Sequence, residues 1–239
     1  MSPIRLITFD MTNTMIRVLG SVGQNYANVA AQYGKTVDPT KIDSAFKRQF
    51  KLQMAKYPNF GVKSGLTPFK WWTSLVIECF KDAGYDDPSL TQIANHSYVH
   101  FATAKGWEVI PGTASVLDHL KDKGLKLGVV SNFDNRLEKI LHELSLAHYF
   151  DFIVDSATFG EAKPSREIFD HALKAGKTEA SDALHIGDNS TNDYHGAINA
   201  GMKALLLVDS GSTIHDSVNK DHVIQRLGEV ERYINDNVS

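Results

Sequence analysis

The sequence is poor in cysteine: Cys79 is the only one among 239 residues. A single thiol excludes an intramolecular disulfide, and this usage is typical of a reducing compartment. Cys79 lies in an apolar stretch with helical periodicity, which favours a small buried hydrophobic side chain over a reactive nucleophile. We therefore do not expect cysteine chemistry.

Strong charge and long apolar runs are also lacking. The formal net charge is -3 and no block of five like charges occurs, so we expect no nucleic-acid partner. No run approaches the roughly 18 apolar residues of a membrane span. The first residues lead almost directly into an apolar stretch, without the pattern of a signal or transit peptide. We expect a cytoplasmic protein without a membrane partner, and the choice between monomer and homodimer stays open.

Short apolar runs that end at polar clusters recur along the chain. They occupy residues 4–9, 125–131, 150–156, 183–188 and 203–209, with a shorter run at 222–224. Stretches with helical spacing lie between most of them, at 113–124, 136–146, 165–177 and 192–202, and a last one follows at 226–236. Alternating strands and helices predict an α/β fold with a doubly wound, mainly parallel, Rossmann-like sheet.

One long segment departs from this alternation. From residue 16 to residue 107 we find helical periodicity and no convincing strand, with breaks at Gly34, Pro58, Gly61, Gly84 and Pro88. This pattern predicts an α-helical module, residues 16–107, inserted after the first strand. Residues 1–15 and 108–239 then form the α/β core domain, to which "GWEVIPG" (106–112) returns the chain.

The predicted strands deliver polar side chains to their carboxyl ends. In an open parallel sheet, ligands bind beyond those ends. The positions concerned are Asp10, Ser131, Asn132, Lys163, Asp188 and Asp193. Each is weak evidence alone, since a lone lysine is more often solvated. Their succession at consecutive strand ends predicts one shared site.

Four motifs in this order resemble those of the haloacid dehalogenase superfamily: "FDMTNT", "VVSN", "AKP" and "HIGDNSTND". The resemblance covers essentially the whole chain, with the helical segment as the cap that this superfamily inserts after strand one. The stretches "YPNFG", "WW" and "SNFDNRL" are similar to a subgroup with vertebrate and insect members.

The resemblance implies a phosphatase-type hydrolase of a small organic phosphate. Asp10 would attack phosphorus and form an aspartyl-phosphate that water then cleaves. Ser131 and Asn132 would donate hydrogen bonds to the phosphoryl oxygens. Lys163 would place a positive charge beside Asp10 and the phosphate, which stabilises the transition state.

The resemblance also implies Mg²⁺ as cofactor. The metal residues would be Asp10, the backbone carbonyl of Thr12, and Asp188, with Asp193 acting directly or through a water. A hard cation offsets the repulsion between a carboxylate nucleophile and a phosphate.

Thr12 is a departure, because most phosphatases of the superfamily carry a second, proton-donating aspartate at this catalytic position. A hydroxyl has no accessible pKa for that work. Three alternatives stay open: a slow or leaving-group-selective phosphatase, an acid supplied by His96 or His100 of the cap, or a binding relative without useful turnover.

A 2-haloacid dehalogenase is a further alternative, since expulsion of a halide needs neither a proton donor nor a metal. Asp188 and Asp193 would repel Asp10 without a cation, which favours phosphoryl transfer. Two further residues lie close in sequence to the predicted site residues. His185 reads as a satisfied core histidine. Arg136 could bind a substrate carboxylate, pair with Asp134 or cap the next helix.

Overall fold

A computed structural model describes residues 3–209 and 217–237 of the chain. The strands are β1 (Leu6–Phe9), β2 (Ile16–Val18), β3 (Trp107–Val109), β4 (Lys126–Ser131), β5 (Phe152–Asp155), β6 (Ala183–Gly187), β7 (Lys203–Leu207) and β8 (Val223–Ile224). The helices are α1 (Val22–Ala31), α2 (Pro39–Lys56), α3 (Pro68–Asp82), α4 (Leu90–His100), α5 (Thr113–Asp122), α6 (Leu137–Glu143), α7 (Ser156–Phe159), α8 (Arg166–Gly176), α9 (Gly196–Asn199) and α10 (Glu229–Asn237).

The chain divides into two compact units. The first, the sheet unit, comprises residues 1–17, 109–133 and 144–239; the second, the helical unit, comprises residues 18–108 and 134–143. The helical unit thus includes the short segment that contains α6. The predicted boundaries of the cap domain, residues 16 and 107, stay a prediction.

The sheet unit is built on six parallel strands in the order β5-β4-β1-β6-β7-β8. All four residues of β1 are buried, because the strand lies between β4 and β6 and carries helices over its faces. The chain fills the sheet to one side of β1 first and then to the other, so β1 lies at the topological switch point. The predicted doubly wound α/β fold is confirmed.

Helices cover this sheet with one apolar face each. In α8 the buried residues recur at helical spacing: Ile168, Phe169, Ala172 and Leu173. They join one hydrophobic cluster with side chains from β1, β6 and β7. Burial of this face holds α8, and with it the preceding loop that carries Lys163, against the sheet.

The helical unit contains α1 to α4. Ser21, Asp38 and Thr67 cap α1, α2 and α3 by accepting hydrogen bonds from main-chain N–H groups of the first turn. Aromatic rings fill its core, where Tyr26 contacts Phe80 and Phe101. Within the described residues, no helix combines the length and the apolar character needed to cross a bilayer.

Three details of the predicted elements are wrong. Residues 16–107 were expected to contain no strand, and residues 106–112 to return to the main sheet; instead β2 and β3 form a separate two-stranded sheet. The helix expected over 192–202 is a π-helical segment, Ser190–His195, followed by the short α9. Asn189 explains this start, because its side chain accepts from the N–H groups of Thr191 and Asn192.

Candidate active site

Asp10 lies at the carboxyl end of β1, in the sheet unit. Its N–H donates to the carbonyl of Ile186, which extends the pairing with β6 by one residue and fixes the backbone. Its carboxylate is almost fully buried. Oδ1 accepts from Ser131 Oγ at 3.0 Å and from Lys163 Nζ at 2.7 Å. The predicted nucleophile is therefore held by two donors on one oxygen.

Lys163 is buried, with 4% of its surface exposed, rather than solvated. Its ammonium donates to Asp10 Oδ1 at 2.7 Å, to Asp193 Oδ1 at 2.6 Å and to the carbonyl of Val130 at 2.6 Å. Burial alone would lower the pKa of Lys163, but the two carboxylates raise it above its ordinary value. The side chain is a fixed positive charge between two acids.

The side chain of Asn132 fixes the main chain of the loop that contains Lys163. Its Nδ2 donates to the carbonyl of Lys163 at 2.9 Å, and its Oδ1 accepts from the N–H of Lys163 at 2.7 Å. This reciprocal pair joins the end of β4 to the loop before α8. A contact of Asn132 with a phosphoryl oxygen stays a prediction; the structure shows that its amide fixes the main chain of Lys163.

Asp193 lies in the π-helical segment that follows β6. Its Oδ2 accepts from the N–H of Asn189 at 2.9 Å, while Oδ1 accepts from Lys163 and from His185 Nε2. Burial would raise the pKa of Asp193, but Lys163 and His185 outweigh it and hold that pKa well below its usual range. A Cβ on Gly187 would stand 2.2 Å from Asp193 Cγ, so only glycine leaves room for this carboxylate.

Asp188 completes a cluster of acids. One carboxylate oxygen from each of Asp10, Asp188 and Asp193 lies within 4.8 Å of the others. Burial, together with the charges of Asp10 and Asp193, raises the pKa of Asp188 to about 7. We call Asp10, Lys163, Asp188 and Asp193 the sheet-unit cluster. Three acids and one lysine leave excess negative charge, so this set of hard oxygen ligands fits a divalent cation such as Mg²⁺.

Thr12 lies in the tight turn that follows Asp10. The carbonyl of Met11 accepts from the N–H groups of Thr14, Met15 and Ile16, which closes the turn. Asn13 adopts a left-handed φ of 61°, and its side chain donates to Asp188. The turn thus links the predicted nucleophile to the acid after β6, a contact by Asn13 that the sequence reasoning missed.

The candidate acids of the cap have partners inside the helical unit. His100 Nε2 is 2.7 Å from Asn25 Oδ1, and His96 Nδ1 is 3.4 Å from the hydroxyl of Tyr33. Burial lowers the pKa of His100. A proton-donating role for either histidine stays a prediction.

Arg136 pairs with Asp134, which is one of its three predicted roles. Asp134 Oδ1 accepts from the N–H of Arg136 at 3.1 Å and from its Nε at 2.8 Å; Oδ2 accepts from Arg136 Nη2 and from Trp72 Nε1, both at 2.7 Å. The guanidinium also lies over the ring of Tyr98. These four residues, Trp72, Tyr98, Asp134 and Arg136, are the helical-unit cluster.

His185 has a contact that its residue type and position did not predict. It is fully buried as expected, but its Nε2 contacts Asp193, a member of the sheet-unit cluster, at 3.2 Å. Burial lowers the pKa of His185. A signal existed: Thr8 and His185 are polar residues in apolar strands, and they are direct neighbours in the register of β1 and β6.

Comparison with known proteins gives relatives of similar length. The chain is 36% identical over 231 residues to "Haloacid dehalogenase-like hydrolase domain-containing protein 3" of Mus musculus, covering 95% of this chain and 92% of the relative. It is 30% identical to "Rhythmically expressed gene 2 protein" of Drosophila melanogaster, covering 99% and 97%. These are the vertebrate and insect relatives that the subgroup resemblance predicted.

Solved structures share the fold at lower identity. A 2-haloacid dehalogenase from Pseudomonas syringae superposes with a TM-score of 0.71 at 24% identity, covering 98% of this chain and 99% of the other. The putative HAD-hydrolase YfnB from Bacillus subtilis, bound to magnesium, gives 0.74 at 19% identity, covering 98% and 100%. The haloacid dehalogenase-like hydrolase family model matches residues 4–201. With the four motifs in order on this sheet, the chain belongs to the haloacid dehalogenase-like hydrolase family.

Proposed function

We propose that this hydrolase is a Mg²⁺-dependent phosphatase that acts on a small organic phosphate through an aspartyl-phosphate at Asp10. The observation that carries the proposal is the sheet-unit cluster. A buried lysine joins Asp10 to Asp193, and Asp188 adds a further carboxylate within 4.8 Å. A nucleophile at a strand end, a fixed cation beside it and excess acid together suit phosphoryl transfer.

The first step uses groups that are already in place. Ser131 and Lys163 hold one oxygen of Asp10, so the carboxylate enters the reaction without first having to orient. An oxygen–phosphorus bond forms at Asp10 while the bond from phosphorus to the leaving oxygen breaks. Lys163 offsets the charge that develops on the transferred phosphoryl group. In the second step, water cleaves the aspartyl-phosphate and regenerates Asp10.

The metal residues would be Asp10, the main-chain carbonyl of Thr12, and Asp188, with Asp193 in support. When bound there, Mg²⁺ supplies positive charge that reduces repulsion between the acids and the substrate phosphate. Asp188 is held toward the site by Asn13, and Asp193 by the N–H of Asn189. The magnesium-bound structural relative from Bacillus subtilis supports this assignment by analogy of fold.

Thr12 sets the expected rate. Without an acid at this position, the leaving oxygen departs without a donated proton and no carboxylate there activates water for the second step. A positioned proton donor contributes about 10²- to 10⁴-fold, so we expect slow turnover that favours good leaving groups. The same residue favours the second candidate function, a relative that binds a phosphate compound without useful turnover.

The test is phosphate release from para-nitrophenyl phosphate and a panel of metabolite phosphates, with Mg²⁺ or with EDTA. We expect slow release that requires Mg²⁺. Asp10→Asn should lose activity on the order of 10⁴-fold or more, because an amide is a poor nucleophile. Thr12→Asp should raise the rate by roughly 10-fold or more if the missing acid limits it.

Two controls separate the alternatives. Halide release from 2-haloacids, measured in the same preparations, would support dehalogenation if it occurs without Mg²⁺ and phosphate release does not occur. Silence of the wild-type protein on every phosphate, with activity in Thr12→Asp, would support the binding relative. Silence of both proteins would contradict a phosphatase mechanism at Asp10.

A further inference from the structure

His185 connects the interior of the sheet to the sheet-unit cluster. Its Nδ1 is 2.8 Å from Thr8 Oγ1, and its Nε2 is 3.2 Å from Asp193 Oδ1. We propose that His185 is a positioning residue: it holds the carboxylate of Asp193 where that carboxylate meets Lys163, and so fixes Lys163 against Asp10. The kinetic part of this inference rests on the proposed phosphatase function, but its geometric part does not.

The proton positions follow from the partners. An ionised carboxylate can only accept, so Nε2 of His185 donates to Asp193. In the neutral ring Nδ1 is then an acceptor, and the hydroxyl of Thr8 donates to it. Thr8 and His185 are paired in the register of β1 and β6, and neither has exposed surface. Two neighbouring strands therefore fix the orientation of the ring.

The contact with Asp193 is what distinguishes His185 from an ordinary core residue. Asp193 Oδ1 is shared by the ring and by Lys163, while Oδ2 is held by the N–H of Asn189. The ring also packs edge-on against Phe169, which limits its movement. If the donor at Nε2 were lost, Lys163 would be the remaining side-chain donor on that oxygen. The hydrogen bonds that the ammonium of Lys163 donates to Asp193 and to Asp10 would then change in strength relative to each other.

A matched pair of variants tests the contact. His185→Gln places an amide nitrogen near the position of Nε2 and can still donate to Asp193. His185→Asn keeps a polar group near Thr8 but is one methylene too short to reach Asp193. Ile186→Val, a mild change on the same strand at an equally buried residue, is the control for packing.

Activity and metal binding give the first readouts. Loss of a residue that orients a metal ligand typically costs 10- to 100-fold in affinity or activity. We expect His185→Asn to lower kcat by about 10- to 100-fold with KM within about twofold, and to weaken Mg²⁺ binding in calorimetry. His185→Gln should recover most of the loss, and Ile186→Val should stay within about twofold of the wild type.

A crystal structure of metal-free His185→Asn gives the readout that is independent of turnover. We expect the carboxylate of Asp193 to rotate, so that its 2.6 Å contact with Lys163 Nζ changes in length or passes to the other carboxylate oxygen. The proposal is overturned if that contact is unchanged and kcat and Mg²⁺ affinity stay within about twofold. If the wild type releases no phosphate, the proposed function fails, and the crystal structure still decides the role of His185. Should His185→Asn not fold, His185→Leu replaces it, with the same expectations.

Discussion

Each unit of the molecule buries charged side chains, and the two clusters are balanced differently. In the helical-unit cluster, Asp134 accepts three hydrogen bonds from Arg136 and one from Trp72, so one negative and one positive charge satisfy each other. In the sheet-unit cluster, three acids lie close together and one lysine contacts two of them, Asp10 and Asp193. The charges of the helical-unit cluster balance each other, whereas the sheet-unit cluster has excess negative charge.

This difference separates structural from functional burial of charge. A buried ion pair that satisfies all its partners needs no ligand, and its removal damages the fold. A cluster with excess charge is destabilising by itself, because like charges repel at short range in a medium of low dielectric. Such a site persists when a ligand supplies positive charge, and for this reason we propose the sheet-unit cluster as the place for metal and phosphate chemistry.

The largest expected effect follows from breaking the buried ion pair between Arg136 and Asp134. Arg136→Leu leaves Asp134 buried without its cation, and breaking such a pair costs about 3–5 kcal/mol of unfolding free energy. Urea denaturation of the variant and the wild type measures this difference. The control is Arg166→Leu, which removes an exposed pair with Asp170 and should cost at most about 1 kcal/mol. A loss below about 1 kcal/mol in Arg136→Leu would show that the two clusters do not differ in this way.

The second effect is stabilisation by the cation that we propose for the sheet-unit cluster. A ligand at 100 times its dissociation constant stabilises the folded state by about 2.7 kcal/mol. We expect Mg²⁺ to raise the melting temperature of the wild type, EDTA to reverse the rise, and Asp188→Asn to abolish it. NaCl at matched ionic strength is the control for screening. An equal rise in Asp188→Asn would place the bound ion elsewhere.

A smaller effect concerns pH. The pKa of Asp188 is raised from 3.8 to about 7 in the folded protein. The folded state then binds a proton more tightly than the unfolded state, so the unfolding free energy of metal-free protein falls as pH rises between about 4 and 7. Asp188→Asn should remove much of this fall and stabilise the protein at pH 8 by roughly 1 kcal/mol, after allowance for solvent screening.

Denaturation of both proteins in EDTA across this pH range checks the prediction. Asn13→Ala, which removes the side-chain hydrogen bond to Asp188, is a useful companion because it should raise the pKa of Asp188 further and extend the fall to higher pH. Parallel pH curves for the wild type and Asp188→Asn would contradict the claim that Asp188 carries uncompensated charge.

Much of the fold was readable from local patterns. The apolar runs that end at Asp10, Ser131 and Gly187 are strands because both faces of the sheet are covered, which leaves little alternation. The strands β2 and β3 were missed because three residues give no periodicity to read. The π-helical start at Ser190 depends on the side chain of Asn189, which a 3.6-residue pattern does not describe.

The sheet-unit residues could be predicted as strand-end side chains, but their contacts could not. No spacing shows that Lys163 is buried between Asp10 and Asp193, because that placement depends on the long-range packing of α8. The contact of His185 could not be predicted either. Its place in an apolar strand predicts a core residue, and nothing in the sequence shows that its partner is Asp193. Residue type suggests the chemistry, while tertiary packing decides which atoms meet.

The most direct measurement of the central claim is the search for phosphate bound covalently to Asp10. The wild-type protein would be mixed with Mg²⁺ and a phosphate substrate that it hydrolyses, quenched in acid during turnover, and analysed by intact mass and peptide mapping. With para-nitrophenyl phosphate as that substrate, the leaving group needs no donated proton, whereas the second step has no base at Thr12. We therefore expect one phosphoryl group to accumulate on the peptide that contains Asp10, and none in Asp10→Asn. Turnover of the substrate without any phosphorylated Asp10 would contradict the proposed mechanism.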